Sequence, residues 1–344
     1  MLVIDGIIFS LQRHGGISVY FQHLLQHLSN AQKQAALILD EPLMQECVAF
    51  KSIIRTDSQA ARFLERYRSC RTPSNSSVFH SSYYRLPSQS NLPSVVTVHD
   101  FIYERFKPGV RQWVHTTQKN KAIRAAQAVI CVSEATKQDL LELVGEVPGQ
   151  QLYVIHNGVS QVFRNLNLEP NWSVPYVLFV GQRSGYKNFH LVLKAMEYLP
   201  DFQLHCVGGG LIFPGELKGV PDSVARRVKH LGFVSDDQLN YFYNQAVCLI
   251  YPSSYEGFGI PVLEAMRAGC PVLSADCKAV REVGRDALMV ISDIDSRGIA
   301  DAVHLAASSE RLNFIQKGYL IAKEYSWDNT HRRTLDVYSS LGAW

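Results

Sequence analysis

At 344 residues, 47% of them hydrophobic, the chain is long enough for two domains with separate buried cores, which excludes a single small module. The formal net charge is only +3, but it is unevenly spread: residues 1–165 carry 17 Lys and Arg against 12 Asp and Glu, and residues 166–344 carry 17 against 19. Basic residues are not interleaved with stacking aromatics and no zinc or helix-turn-helix spacing occurs; this argues against nucleic-acid binding and leaves solvated helix faces, anionic lipid or a phosphate-bearing substrate.

The N-terminus enters Leu2-Val3-Ile4-Asp5-Gly6-Ile7-Ile8 directly, with no basic leader and an apolar run too short for a signal peptide or membrane span, so the expectation is a cytoplasmic protein. Short β-branched runs predict strands near 2–8, 35–39, 94–98, 128–132 and 152–155, with amphipathic helices near 17–29, 111–126 and 135–144 between them. Arg62, Arg66, Arg68 and Arg71, then Lys119, Lys121 and Arg124, supply much of the positive charge of this half. The alternation pauses at the polar, proline-bearing Asn165-Leu166-Asn167-Leu168-Glu169-Pro170-Asn171, which reads as a linker. It resumes at Tyr176-Val177-Leu178-Phe179-Val180-Gly181, with strands near 203–207, 247–251, 271–274 and 288–291 and helices near 189–199, 236–245, 260–268 and 298–307. The predicted fold class is α/β: two Rossmann-like parallel units, over 1–165 and 166–325, facing a central cleft, with a closing helix over 326–344. Ligands of such sheets gather at the carboxyl ends of strands. The seven cysteines form no CxxC pair and several end strand-like runs, as at Cys131 and Cys248, so they read as small buried hydrophobes of a reducing compartment.

Chemistry concentrates in Tyr251-Pro-Ser-Ser-Tyr-Glu256-Gly-Phe-Gly-Ile-Pro-Val-Leu-Glu264. A strand ends at Tyr251, a loop carries Glu256, Gly257, Phe258 and Gly259, and Pro261 suits a helix first turn. Free N–H groups at that helix start, approachable because Gly257 and Gly259 lack side chains, make an anion site suited to a diphosphate. Glu264 sits among Ile260, Val262, Leu263, Ala265 and Met266, so its carboxylate requires a hydroxyl or cation partner.

Glu256 and Glu264, with seven residues between them, resemble the paired-glutamate signature of the retaining glycosyltransferase family 4. The likeness covers nearly the whole chain in order: His14-Gly15-Gly16-Ile17, Thr97-Val98-His99-Asp100, Val132-Ser133-Glu134, Asn157-Gly158-Val159 and Val180-Gly181-Gln182-Arg183-Ser184-Gly185-Tyr186-Lys187-Asn188 resemble its other loops. The resemblance implies a GT-B fold, retention of anomeric configuration and no essential metal or cofactor, the donor being a UDP- or GDP-sugar. It assigns Arg183 and Lys187 to the donor diphosphate, His99 to the donor sugar near the anomeric centre, Glu256 to sugar hydroxyls and Glu264 to the ribose. Gly15, Gly16 and Gly208 give room for donor or acceptor, and Phe233 and Val234 lie in the base-contacting loop, with Asp236 also a plausible helix cap. Two cations just past a strand end can neutralise the charge building on a departing nucleoside diphosphate, in place of a metal.

Other readings fit less well. The paired carboxylates of a glycoside hydrolase must flank one bond, whereas Glu256 and Glu264 belong to one loop–helix unit. Asp293-Ile294-Asp295 resembles a metal-binding DxD, but it follows an apolar strand just before a helix, where turn and capping chemistry explains it. The expected activity is transfer of a hexosyl unit, N-acetylhexosamine or mannose, to a polyprenyl-diphosphate-linked saccharide in O-antigen-type surface glycan assembly, with peripheral contact to an anionic membrane. The acceptor part of this reading rests on the basic first half, the absence of a predicted membrane span and the resemblance to O-antigen and capsule enzymes of the family, especially at Phe79-His80-Ser81-Ser82-Tyr83-Tyr84-Arg85. A 2-epimerase of the same fold and a non-catalytic nucleotide-sugar sensor are the rival classes.

Overall fold

The computed structural model describes residues 1–12, 15–40, 53–58, 65–169, 173–183 and 185–344. His14, Cys47, Arg62, Pro170, Asn171 and Ser184 therefore lie outside the described residues. The chain forms two compact units, Met1–Gly158 with Trp327–Trp344, and Val159–Ser326.

In the first unit, described strands β1 (Leu2–Asp5), β2 (Ala35–Asp40), β3 (Ile53–Ser58), β4 (Val78–Ser81), β5 (Ser94–Val98), β6 (Ala128–Cys131) and β7 (Gln151–Val154) form one parallel sheet. Its order is β3-β2-β1-β4-β5-β6-β7. β1, β4, β5 and β6 are buried along their whole length, as expected of strands covered on both faces. The predicted strand over 2–8 stops at Asp5, and Ile7–Leu11 is a short helix. Gly6 turns the chain and donates its N–H to the Ile38 carbonyl at 2.8 Å, and the Asp5 carboxylate accepts from the Ile7 N–H at 3.2 Å. An apolar run gives the same pattern for a buried strand and a buried helix turn.

The helix Gly16–Asn30 buries Tyr20, Phe21, Leu24, Leu25 and Leu28 at helical spacing. The terminal helix Trp327–Ser340 belongs to the same unit and packs against it: Trp327 stacks on His23 (4.7 Å between ring centroids) and on His331 (5.4 Å). His80, on β4, is hydrogen-bonded through Nδ1 to the Tyr338 hydroxyl.

In the second unit, β8 (Tyr176–Val180), β9 (Gln203–Val207), β10 (Val228–Gly232), β11 (Leu249–Tyr251), β12 (Val272–Ala275) and β13 (Leu288–Ile291) form a parallel sheet ordered β10-β9-β8-β11-β12-β13. The core includes Val177, Phe179, Val192, Leu204, Ile250, Leu273 and Val303. The unit begins at Val159, seven residues before the expected boundary at 166, because Arg164 and Leu166 donate their N–H groups to Asn240 (2.9 Å) and Asn244 (2.8 Å) within it. The chain enters and leaves the unit side by side, Val159 bridging to Ser326. Asp295 caps the helix Ser296–Ala306, accepting from the Gly298 N–H at 2.7 Å, as the capping reading of Asp293-Ile294-Asp295 expects. The six described cysteines are buried.

Candidate active site

The second sheet starts in its middle, at β8, grows outward through β9 to β10, then crosses to β11 on the other side of β8. Strand order therefore reverses between β8 and β11, the place where open parallel sheets leave a crevice at their carboxyl edge. The loop after β8 carries Arg183 and Lys187, and the loop after β11 carries Glu256. The two loops are stitched across the reversal: Asn188 Nδ2 donates to the Pro252 carbonyl at 2.9 Å, the Ser254 N–H donates to the Tyr186 carbonyl at 2.9 Å, and Lys187 Nζ forms an ion pair with Glu256 Oε1. The Lys187 ammonium also lies 5.1 Å from the centre of the Tyr251 ring, whose hydroxyl is hydrogen-bonded to Glu256. Asn188 holds a left-handed conformation (φ +52°) at the start of the helix Phe189–Ala195.

Next in the chain, Gly259 (φ +108°) precedes the helix Ile260–Ala268, with Pro261 in its first turn and no side chain capping the start. A β-carbon at Gly259 finds space, 3.5 Å from Val262 and Val280, so the backbone conformation is what demands glycine. Phe258 is buried and packs edge-on against Tyr325 at 6.0 Å. One turn along the helix, Glu264 accepts a hydrogen bond from the Tyr243 hydroxyl at 3.0 Å, the hydroxyl partner its apolar setting requires. Burial raises the Glu264 carboxyl to about 7, with Tyr243 opposing and the Asp236 carboxylate adding to the rise.

The loop after β9 runs through Gly208, Gly209 and Gly210, all at positive φ (75°, 72° and 74°). A β-carbon at Gly209 would lie 2.6 Å from the Gly181 carbonyl oxygen. The curled loop points its carbonyls at Arg183, which donates to those of Gly208 (3.1 Å), Gly210 (2.9 Å) and Leu211 (2.9 Å) and pairs through Nε with Glu216 Oε1 at 2.7 Å. Arg183 thus braces the glycine loop, while Lys187 is committed to Glu256. After β10, Phe233 is 72% exposed and Val234 half-buried. The cap of the next helix is Ser235, not Asp236: its hydroxyl accepts from the Gln238 N–H, Gln238 returns the bond to the Ser235 N–H, and Asp236 is the first helical residue.

In the first unit, Gly15 and Gly16 open the helix Gly16–Asn30, whose start has no side-chain cap. His99 follows β5, half-buried, with its ring edge-on to Tyr20 at 5.3 Å. Burial, with help from the Lys119 ammonium, lowers its pKa to about 3, so the imidazole is neutral, and Nε2 has no hydrogen-bond partner among the described residues. Strand order in this sheet reverses between β1 and β4, where a buried Arg85 lies between Asp5 (3.5 Å) and Glu65 (3.5 Å).

Lys187 and Glu256 are thus brought together, as are Arg183 and Gly208; Phe233, Val234, Gly257, Phe258 and Gly259 lie in loops of the same four adjacent strands, and Glu264 on the helix that follows. His99, Gly15 and Gly16 belong to the other unit. Glu216, Tyr243 and Tyr251 were not singled out from sequence as members of the site. Each enters through a tertiary contact that no local spacing announces.

Residues 14–161 match the family described as Glycosyltransferase Family 4, and residues 167–320 match Glycosyl transferases group 1. An O-antigen chain mannosyltransferase B of Escherichia coli is 26% identical over 291 residues, covering 77% of this chain and 74% of its own. Sucrose-phosphate synthase from Thermosynechococcus elongatus superposes with a TM-score of 0.77 at 16% identity, covering 99% of this chain and 98% of its own. The Anabaena protein HepE, solved in complex with UDP and glucose, gives 0.69 at 15% identity, covering 98% and 99%. At such identities the structures speak for the fold, and the sequence matches to both halves speak for the family: the chain belongs to the GT-B glycosyltransferases of the family 4 type.

Proposed function

We propose that the protein is a retaining hexosyltransferase that moves mannose or an N-acetylhexosamine from a GDP- or UDP-sugar to a saccharide carried on a polyprenyl diphosphate, during assembly of an O-antigen-type surface glycan. The observation that carries this reading is the Lys187–Glu256 pair stitched across the strand-order reversal, beside an uncapped helix start. Backbone N–H groups there suit the donor diphosphate. When a diphosphate takes the Lys187 ammonium, Glu256 is released to accept from donor sugar hydroxyls. Glu264, oriented by Tyr243, suits the ribose hydroxyls, and Phe233 and Val234 the base. Arg183 acts from behind by holding the glycine loop in shape. His99, neutral and with an unpartnered Nε2, donates or accepts one hydrogen bond to the donor sugar and is not the nucleophile.

In the transfer, the bond from the anomeric carbon to the phosphate oxygen breaks as an acceptor hydroxyl oxygen bonds that carbon, the hydroxyl proton leaving with the diphosphate. Charge on the leaving group falls to Lys187 and the helix-start amides, so turnover persists in a chelator. The likeness to an O-antigen mannosyltransferase and to a fold relative solved with UDP and glucose supports the donor and acceptor classes. Incubation of GDP-mannose and of UDP-N-acetylglucosamine with a synthetic lipid-diphosphate saccharide, its free oligosaccharide, or no acceptor tests the reading by NMR of the product. A product with the donor's anomeric configuration, made faster from the lipid form, is expected. Inverted product, equal use of the free saccharide, or epimerised donor without acceptor each contradicts it.

A further inference from the structure

Each of the two site glutamates is met by a buried tyrosine hydroxyl. Tyr243, fully buried on the helix Asp236–Gln245, donates to Glu264 at 3.0 Å, and Tyr251, 4% exposed at the end of β11, is hydrogen-bonded to Glu256. The Tyr251 side chain is engaged on three sides. The Lys187 ammonium lies 5.1 Å from its ring centre, its hydroxyl reaches Glu256, and its Cε1 carbon lies 3.9 Å from where a β-carbon on Gly259 would stand, at the turn that opens the helix Ile260–Ala268. Burial, with the Glu256 carboxylate beside it, pushes the hydroxyl well above its usual range, so it stays protonated and donates. Glu256 therefore has two partners of different character. Lys187, in an ion pair with Oε1, is a point charge on a flexible four-carbon stem, whereas Tyr251 is a rigid ring fixed by its strand and its packing.

We propose that Tyr251 is a positioning residue for the donor sugar: its hydroxyl holds the Glu256 carboxylate in the orientation that meets the sugar hydroxyls, and keeps it there when the diphosphate draws Lys187 away. The inference rests on the donor site proposed above and supplies what the Lys187–Glu256 pair alone does not. A loop carboxylate that loses its cation as the donor binds has to be ordered at that moment, and ordering a side chain on binding costs affinity. A hydroxyl anchored at a strand end does the ordering before the donor arrives. A hydrogen bond to an ionised group is the stronger kind, and it leaves the carboxylate with further lone pairs for the sugar. A neutral phenol also brings no charge of its own, so it does not compete with Lys187 for the diphosphate.

Calorimetric titrations of GDP-mannose against GDP, and of UDP-N-acetylglucosamine against UDP, separate the sugar's share of donor binding from that of the diphosphate. They are run below the melting transition of each variant, so that folded proteins are compared. Tyr251→Phe keeps the ring beside Lys187 and removes only the hydroxyl. The nucleotide sugar is expected to lose about tenfold in affinity, as for one hydrogen bond to a charged group, while the nucleoside diphosphate stays within about twofold of wild type. In a Glu256→Ala background, where no carboxylate is left to orient, Tyr251→Phe is expected to change neither affinity by more than about twofold. A hydroxyl that serves stability alone behaves otherwise: affinities for nucleotide sugar and nucleoside diphosphate fall together, or the loss persists in the Glu256→Ala background, and either result overturns the proposal. So does a Tyr251→Phe protein that binds the nucleotide sugar as tightly as wild type while Glu256→Ala does not; that outcome leaves the donor site standing. If Glu256→Ala itself leaves nucleotide-sugar affinity unchanged, or wild type binds neither pair of ligands, the donor site fails and the inference falls with it.

Discussion

The two sheets reverse strand order in the same way, yet their reversal points are built differently. In the first unit the place between β1 and β4 is closed by Arg85 and Asp5, whose side chains are 3% and 1% exposed. In the second the place between β8 and β11 holds Lys187 and Glu256, 12% and 10% exposed. One pair is sealed inside the fold, while the other is partly exposed and, in the proposed site, would exchange partners with a ligand. Topology supplies a crevice in both; what the following loops do with it decides whether it serves structure or chemistry. A buried pair tolerates no loss of a partner, whereas a reachable one can be spent on substrate.

That contrast is best broken from both sides. Arg85→Met leaves the buried Asp5 carboxylate and the partly exposed Glu65 without their shared cation and is expected to cost about 3 kcal/mol, lowering the melting temperature by several degrees, with donor affinity of the folded fraction unchanged. A calorimetric scan checks the first statement and a donor titration well below the transition the second. Glu256→Gln is expected to do the reverse: kcat down by about 100-fold to 1000-fold with a melting temperature within a degree or two of wild type. Steady-state kinetics that leave kcat within about threefold would remove Glu256 from the chemistry.

Protonation sharpens the comparison. Glu264 titrates at about 7 in the fold against 4.5 when free, so its own contribution to stability is present at acid pH and is lost as pH rises through about 7. Its carboxylate form, which the proposed contact with the ribose hydroxyls needs, is correspondingly depleted below 7. Donor affinity is expected to fall severalfold between pH 8 and about pH 6, and Tyr243→Phe to move that transition upward by removing the hydroxyl that holds the carboxylate down. A pH-independent affinity would separate Glu264 from the ribose.

In the first unit burial lowers His23 to about 4 and His80 to about 3, and holds His331 well below its usual value. Depressed histidines contribute stability that is present above the unfolded value of 6.5 and is lost as pH falls from there toward 4. His331 is stacked on Trp327, with neither ring nitrogen hydrogen-bonded among the described residues. His331→Phe is expected to flatten the fall in melting temperature between pH 6.5 and 4 by about a degree or two. An unchanged slope would mean that the terminal helix is not the acid-sensitive element.

Much of the fold was legible because parallel strands covered on both faces read as continuous apolar runs, as at Val95–Val98 and Ala128–Cys131. The strands that escaped notice lack that signature: Val78-Phe-His-Ser81 ends in two polar residues, of which His80 finds buried partners in Tyr338 and Thr97, and Val228-Lys-His-Leu-Gly232 is an edge strand, half-exposed along its length. Ile53–Ser58 carries Arg, Thr, Asp and Ser in six residues. At the site, Glu264 was legible because a carboxylate among apolar helical neighbours needs a partner; the partner, Tyr243, was not, because it comes from another helix. Arg183 and Lys187 were legible as two cations past a strand end, but their pairing with Glu216 and Glu256 depends on loops 33 and 69 residues away. Ser235 and Asp236 both suit a helix cap in sequence, and only the hydrogen bond to Gln238 chooses between them.

The most direct measurement is a calorimetric titration of UDP, GDP, ADP and dTDP into the wild-type protein and into Lys187→Met, both in a chelator. One nucleoside diphosphate is expected to bind selectively to wild type and to lose about tenfold to 100-fold in affinity in the variant, where Glu256 is left unpaired beside the phosphates. Equal affinity in the two proteins, or no binding of any of the four, would contradict a diphosphate site at the reversal between β8 and β11.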